Sequence, residues 1–420
     1  MRKFLKSLKN WGQRLKGLSS MDIKTHPIWT QITPYKTKIS NLKKPFHLLK
    51  IYLARQYAKL YSSDTFVGVT GSVGKTTTVS ALYAVLSQKY KTITTTPNLD
   101  PILNIPQTLL KLNPSIKKVI LEMGCEYPGE IDFYLRLVKP KYVVVTKISY
   151  AHSKFLGDIN QIMEEKGKLV EGLPEDGVAV LNYDDVNSQK LADKCRGRVY
   201  YFGMDSKNCT VWAGNIKFEN FQTVFELNLG VERIQVKLKL LGEHQVYSAL
   251  AAATMGVILD IPLMKIKKAL ELIEPTPHRL EILTGPFGST IIDDTYNSSP
   301  QAVEAAIDTL VKLPSKRKIL VLGEMRELGK YSEHFHRAVA QKIYKEKIDY
   351  IFLGGGEANF IADELNSLGF WEEKMEINLS NSQIVSRLLK ILEKGDICLI
   401  KGSRAVRLDE VVKRIVKLGH

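Results

Sequence analysis

The 420 residues are enough for two or three domains with separate cores, and 44% hydrophobic against 25% charged residues is a globular composition. The formal net charge is +16, yet residues 1–60 hold 14 Lys/Arg against one acidic residue, Asp22, which leaves +3 for the other 360 positions. An excess confined to one end argues against a nucleic-acid groove across the whole protein, and four scattered cysteines with no CxxC pair suit reduced thiols in a cytoplasm better than a disulfide frame or a zinc site.

Residues 1–18 read as an amphipathic helix. Phe4, Leu5, Leu8, Trp11, Leu15 and Leu18 recur at helical spacing, with Lys3, Lys6, Lys9, Arg14 and Lys16 mostly elsewhere on the wheel, although Gly12 and Gly17 weaken it. No apolar run is long enough to span a membrane, and no apolar core of a signal peptide follows the first lysines. Residues 20–44 look like a linker, and a second basic, apolar helix is expected over roughly Pro45–Tyr61. This N-terminal region, 1–62, has two readings of equal weight. It attaches the protein peripherally to an anionic membrane, or its apolar stripe packs on the rest of the chain.

From there short β-branched runs alternate with helical stretches, the signature of an α/β fold with a largely parallel sheet. Strands are expected at Phe66–Thr70, Val119–Glu122, Tyr142–Thr146 and Val178–Leu181, with an antiparallel addition within residues 198–241 and a buried, Ala-rich helix from about Gln245 to Leu259. The Pro-rich segment Glu274–Arg279 marks a boundary, giving domains 63–277 and 278–420. The last domain repeats the alternation, with strands at Thr290–Asp294, Ile319–Gly323, Tyr350–Gly354 and Cys398–Lys401.

The sharpest motif is Thr70-Gly71-Ser72-Val73-Gly74-Lys75-Thr76-Thr77, at the end of a β-run and the start of a helix. Glycines allow a tight turn whose N–H groups face phosphate oxygens, and the helix N-terminus adds partial positive charge. Lys75 can reach the β- and γ-phosphates, and the Thr76 hydroxyl can bind Mg²⁺. The first glycine of the general phosphate-loop pattern is replaced by Val69.

This T-G-S-x-G-K-T form resembles that of the Mur ligases, the ATP-dependent amide ligases of bacterial cell-wall synthesis. Further blocks follow in the same order: Leu121–Ile131, Ala151-His152 with Phe155–Gly157, Lys166-Gly167-Lys168, Leu241–His244, Arg279-Leu280-Glu281, Asp293–Pro300, Leu322–Gly329 and Lys401–Arg404. The resemblance covers about residues 64–410, and its last blocks are most similar to the branch that adds D-alanyl-D-alanine.

The resemblance implies a central P-loop ATPase domain, a C-terminal Rossmann-like α/β domain, ATP and Mg²⁺, and ligation through an acyl-phosphate. The implied substrates are a muramoyl-peptide nucleotide and D-alanyl-D-alanine. Catalytic roles fall on Lys75, Glu122, His152, Lys166 and Arg279. Lys75 and Arg279 clamp phosphates. Thr76 and Glu122 ligate one Mg²⁺, His152 helps bind a second, and Lys166 supports that metal once carbamylated. Nucleotide contacts are expected from Gly71, Ser72, Gly74, Thr77, His244, Gln245, Asp294 and Tyr296. Asn182 is weighed evenly between nucleotide contact and a turn residue, as is Asp185. Substrate contacts fall on Asn98, Asn297, Pro300, Glu324, Lys401, Ser403 and Arg404.

Two departures stand out. Gln245 and Ser248 occupy positions where the family commonly has two asparagines near adenine. Only about 60 residues precede the phosphate loop, too few for the usual domain that holds the uridine nucleotide. The chain is read as a cytoplasmic monomer acting on small molecules, without nucleic acid, with possible contact at the inner membrane face. The rival readings are an amide ligase with another acceptor and a non-catalytic, membrane-associated nucleotide-binding scaffold.

Overall fold

A strand covered on both faces needs apolar side chains at every position, and Phe66–Thr70 (β1) is buried throughout. The computed structural model describes residues 23, 26–29, 43–204, 208–370 and 372–417. The stretch Phe4–Leu18 lies outside them. Around β1 a nine-stranded sheet forms from β2 (Thr92–Thr94), β3 (Lys118–Glu122), β4 (Tyr142–Val145), β5 (Val178–Asn182), β6 (Arg198–Met204), β7 (Val211–Glu219), β8 (Gln222–Leu229) and β9 (Glu232–Leu238). Its order is β2-β3-β1-β4-β5-β6-β7-β8-β9.

The strands run parallel from β2 across to β7, and only β7, β8 and β9 pair antiparallel. The antiparallel addition therefore starts one strand later than the sequence implied. The helical crossover at Val186–Lys194 brings β6 back parallel to β5. Strand order reverses at β1, so the loop after β1 opens into the crevice where doubly wound sheets bind ligands.

Two layers of helices cover this sheet. The numbering follows the chain: α1 (Lys44–Ala58), α2 (Lys75–Leu86), α3 (Pro101–Leu109), α4 (Glu130–Leu137), α5 (Ile159–Glu171), α6 (Glu243–Ile258) and α7 (Leu263–Glu271). One face carries α2, α6 and α7. Gly256 of α6 lets it approach α2 closely, since a Cβ there would sit 2.7 Å from Val85 Cγ1. The opposite face carries α1, α3, α4 and α5.

Ile23, Ile28 and Trp29 join that second core, and so do Ile51, Ala54 and Ala58 of α1. For these residues the packing reading of the N-terminal region is what the structure displays. Trp29 is only 2% exposed and its indole N–H donates to the Ile23 carbonyl. The ring of His26 accepts from Ile28 N at Nδ1 (3.1 Å), so Nε2 donates to Glu130 Oε1 at 2.9 Å.

The second sheet comprises β10 (Glu281–Thr284), β11 (Thr290–Asp294), β12 (Lys318–Leu322), β13 (Tyr350–Gly354), β14 (Met375–Leu379) and β15 (Ile397–Lys401), in the order β10-β11-β15-β12-β13-β14. It is parallel except for the edge strand β10. Helices α8 (Pro300–Lys312), α9 (Ser332–Lys345) and α10 (Asn359–Ser367) cover one face, with α11 (Asn381–Ile391) and α12 (Asp409–Lys417) on the other.

If Trp29 anchors the N-terminal segment, Trp29→Ala should cost about 3 kcal/mol, as for other buried large-to-small changes. A clear fall in the thermal midpoint of the central domain, followed by circular dichroism, is the expected result. An unchanged midpoint would mean that the segment contributes nothing to the core.

Candidate active site

The loop from β1 to α2 is shaped by backbone that only glycine accepts easily. Gly71 has φ +143° and Gly74 has φ +80°. A Cβ at Gly71 would meet Thr146 Oγ1 at 2.0 Å. The end of β4 holds the loop from the side. Thr146 Oγ1 donates to Val73 O at 2.6 Å, Ser72 N donates to Lys147 O at 2.7 Å, and Ser72 Oγ donates to Ser149 O at 2.6 Å. These bonds occupy the outer rim of the loop and leave its inner concavity to face a ligand.

Lys75 opens α2 and folds back over this concavity, donating to Gly71 O (2.9 Å) and Ser72 O (3.1 Å). Burial and the nearby Lys166 lower its pKa to about 8, against the pull of Glu122. Thr76, the next residue, donates from Oγ1 to Glu122 Oε1 at 3.2 Å. Glu122 ends β3, and Thr95 Oγ1 fixes it by accepting from its backbone N–H at 3.0 Å. A hydroxyl and a carboxylate at this spacing, beside a phosphate cradle, are hard oxygen donors of the kind Mg²⁺ takes.

From the second domain Arg279 reaches the same point. Its Nη2 donates to Thr76 Oγ1 at 3.3 Å, while its Nε is buried without a hydrogen-bond partner. The guanidinium stacks on Tyr296, with Cζ 4.2 Å from the ring centroid, and Arg404 lies over the same ring at 5.1 Å. The preceding His278 has φ +65°, and its Nδ1 donates to Asp293 Oδ2 at 2.7 Å. Asp293 also accepts from Thr295 N and Oγ1 at 3.0 and 2.6 Å, so the turn that aims Arg279 is held from β11. Burial raises the Asp293 pKa, though these partners oppose it.

Lys166 lies on α5 and is 0% exposed. Its Nζ donates to Cys125 Sγ at 3.3 Å. Burial raises the Cys125 thiol pKa although Lys166 opposes this. The loop around Cys125 is pinned by two carboxylates. Glu130 Oε2 accepts from Glu126 N and Tyr127 N at 2.6 and 3.2 Å, and Glu165 Oε1 accepts from Gly129 N and Ile131 N at 2.9 and 3.2 Å.

His152 sits in left-handed backbone, φ +57°, and Nδ1 donates to Glu327 Oε2 at 2.5 Å. Lys154 N donates to Glu327 O and Ser153 Oγ to Leu328 O, so this loop meets the second domain directly. Tyr150 packs against Tyr331 and Phe335 beside it.

The remaining residues singled out in the sequence fall into two groups. Around the second sheet, Lys401 Nζ donates to Asp294 Oδ2 (2.7 Å) and Asn297 O (2.9 Å), and Pro300 begins α8. Glu324 Oε2 accepts from Glu357 N, and Ser403 Oγ accepts from Arg326 N. His244 opens α6 near Asp294, and burial lowers its pKa to about 4. It lines a cavity of about 170 Å³ with Phe218, Tyr247, Ala305 and Thr309.

On the first sheet Asn98 takes φ +63° in the loop before α3, a loop held by Asn104 through Thr96 N and O. Thr77 lies on α2, and Gln245 is buried near the start of α6. Ser248 accepts from Thr78 Oγ1 at 3.1 Å. Asn182 does not face the cradle with a free amide. Nδ2 donates to Thr146 O and Oδ1 accepts from Asp184 N, which favours the turn role. Asp185 likewise holds Ile148 N and Ser188. A larger cavity, about 620 Å³, lies between Tyr57, Asp64, Tyr90 and Lys118, at the start of β1 and β3 and so at the opposite end from the phosphate loop.

Three partners had not been singled out: Glu327, Thr95 and Cys125. Glu327 and Cys125 lie inside blocks already recognised, but their contacts cross 175 and 41 residues of chain, which no local pattern reveals.

Comparison with known proteins agrees with this geometry. Residues 69–256 match the Mur ligase middle domain, and residues 278–404 match the Mur ligase glutamate ligase domain. The chain is 32% identical over 367 residues to the UDP-N-acetylmuramoyl-tripeptide–D-alanyl-D-alanine ligase of Bacillus subtilis, covering 86% of this chain and 79% of that one. It is 30% identical to the Escherichia coli ligase of the same name, covering 84% and 77%. Among solved structures, the MurF ligase of Thermotoga maritima in complex with ADP superimposes with a TM-score of 0.79 at 26% identity, covering 93% of this chain and 87% of that one. With its phosphate loop, paired domains and interdomain arginine, the chain belongs to the Mur ligase family.

Proposed function

We propose that this enzyme joins D-alanyl-D-alanine to the free carboxylate of a UDP-N-acetylmuramoyl-tripeptide, using ATP and releasing ADP and phosphate. The convergence of Lys75, Thr76 and Glu122 from one domain with Arg279 from the other is the observation that carries it. Amide synthesis from a carboxylate passes through an acyl-phosphate, so the protein must hold clustered oxyanions in line and neutralise charge during transfer.

Lys75 exchanges its two loop carbonyls for phosphate oxygens. Arg279, oriented by Tyr296 and His278, offers its unpaired Nε–H to the transferring group. Thr76 and Glu122 would hold Mg²⁺, which would supply positive charge against the phosphate oxygens. His244, kept neutral by burial, presents an uncharged ring to the nucleotide beside the 170 Å³ cavity. His152 would hold a second metal ion, with Glu327 orienting its ring.

Lys166 is the residue whose surroundings least suit an unmodified amine. A fully buried lysine with only a thiol as hydrogen-bond partner is poorly compensated. Addition of CO₂ to the neutral amine would give a carbamate and release a proton, and the carbamate oxygens of Lys166 would then support a metal ion. Asn98, Asn297, Glu324, Ser403 and Arg404 line the substrate side. We take the enzyme to act as a monomer on small-molecule substrates. We place it in the cytoplasm at the inner membrane face, where the exposed basic surface of its N-terminal region would meet anionic lipid.

ADP release should require both the muramoyl tripeptide nucleotide and D-alanyl-D-alanine, and Lys75→Ala should lower kcat about a hundredfold or more with the fold intact. Turnover with other amino-acid acceptors but not with D-alanyl-D-alanine would replace this reading with a sibling activity.

The Lys75 pKa sets a proton linkage. It is lowered in the free enzyme and raised by bound phosphates, so nucleotide binding should take up a proton above about pH 8 and little at about pH 6, where Lys75 is already charged. Calorimetry in buffers of different ionisation enthalpy measures this. Equal uptake at both pH values would assign the proton elsewhere.

Lys166→Ala should be inactive and regain part of its activity with added short carboxylic acids, which restore negative charge at the vacated position. Full activity without any additive would remove Lys166 from the mechanism.

A further inference from the structure

Helix α1 has two apolar faces. One, with Ile51, Ala54 and Ala58, is buried against α3 and α4. The other carries Phe46, Leu49 and Leu53, which are 63%, 40% and 46% exposed, and Leu60 just beyond the helix end is 76% exposed. At 100° per residue Phe46, Leu49 and Leu53 fall within about 60° of one another, and their mean direction lies roughly 140° from the buried face. A surface helix that already docks through one stripe gains nothing from a second one in water. A contiguous exposed apolar row normally marks an interaction surface.

Charge identifies the partner. Lys43 and Lys50 flank the row on one side and Lys59 lies on the other, with no acidic residue anywhere in α1. Lys50 lies over the Phe46 ring at 5.3 Å, so its ammonium sits at the edge of the apolar row. A row of Phe and Leu bordered on both sides by cations, in a 60-residue region that carries a single acidic residue, matches an anionic lipid interface. No described helix is long and apolar enough to cross a membrane, so the contact is peripheral.

We infer that the Phe46–Leu49–Leu53 face of α1, extended by Leu60 after the helix end, is a membrane-docking face that inserts its apolar row among the headgroups of an anionic bilayer. This rests on the membrane location proposed above and assigns it to specific side chains. Because α1 is anchored in the core of the central domain, docking through this face would hold the catalytic body in a defined orientation on the lipid, rather than on a tether.

The test is co-sedimentation of the full chain with phosphatidylglycerol-containing and pure phosphatidylcholine vesicles, at low and high salt. It compares the native protein with a Phe46→Ser, Leu49→Ser, Leu53→Ser variant. These side chains are exposed and outside the catalytic machinery, so ligase activity on water-soluble substrates and the thermal midpoint should be retained, which controls for folding. The expected result is salt-sensitive binding of the native protein to the anionic vesicles only, weakened about tenfold or more in the variant. Equal binding of native protein and variant would overturn this docking face while leaving the membrane location standing. Absence of vesicle binding by the native protein would overturn both. A native dimer that the variant converts to a monomer, without lipid binding, would assign the face to a second copy of the chain instead.

Discussion

The site depends on how closely the phosphate loop approaches the end of β4. Gly71 lies where any side chain would collide with Thr146, and the Thr146 hydroxyl holds Val73 in return. Because β1 and β4 are registered neighbours, with Thr70 opposite Val145, the sheet itself fixes the loop. Ser72 and Ser149 complete the clamp. Lys75 and Thr76 then project from the first turn of α2 with little freedom, and Glu122 is brought alongside because β3 is the other neighbour of β1. Loss of this approach would displace all the oxyanion-binding groups of the first domain together.

The second domain adds its groups through strained backbone. His278, Leu280 and Glu327 all take positive φ without being glycine, as do Asn98 and His152 across the cleft. Such conformations are costly and persist where surrounding bonds over-determine them. His278 is held by Asp293 and Glu281, and His152 by Glu327. His278, Glu327 and His152 are thus strained where one domain meets the other, while further positive-φ residues such as Asn215, Asp260 and Asn378 lie elsewhere in the fold. Arg279 is the clearest case, since the turn before it and the Tyr296 ring beneath it both come from its own domain while its guanidinium touches Thr76 in the other.

Much of this was legible in the residues, and the limits have physical causes. Buried central strands announce themselves as uninterrupted apolar runs, so β1, β11 and β13 appear where expected, and β3, β4, β5, β12 and β15 within a residue. The strands that escaped notice are edges. Met375–Leu379 is largely exposed, Glu281–Thr284 is half covered, and Thr92–Thr94 has only three residues. Local motifs carried Lys75 and Thr76. The roles of Glu327 as the partner of His152, and of Asn182 as a brace for the β4 loop, depend on tertiary contacts and had no local signal. The N-terminal helix was visible, but its double-faced character emerges only when the buried side is known.

Among the described residues three lysines are almost fully buried, and their surroundings differ in a way that separates structure from chemistry. Lys118 is 2% exposed and donates to both the carboxylate and the carbonyl of Asp64, whose second oxygen accepts from Tyr142. Lys401 is matched by Asp294 and the Asn297 carbonyl. In both, a buried cation is compensated by a carboxylate and a further oxygen, which is what a stable interior demands. Among the described residues, Lys166 has only the Cys125 sulfur as a hydrogen-bond partner. The carboxylate nearest in sequence, Glu165, is already committed to two backbone N–H groups and to Lys168. Packing thus leaves one interior lysine near Lys75 with a thiol as its hydrogen-bond partner, while the same fold gives two others a carboxylate. An amine in that position is suited to gaining negative charge rather than to holding structure, and that is the property a metal-supporting carbamate requires.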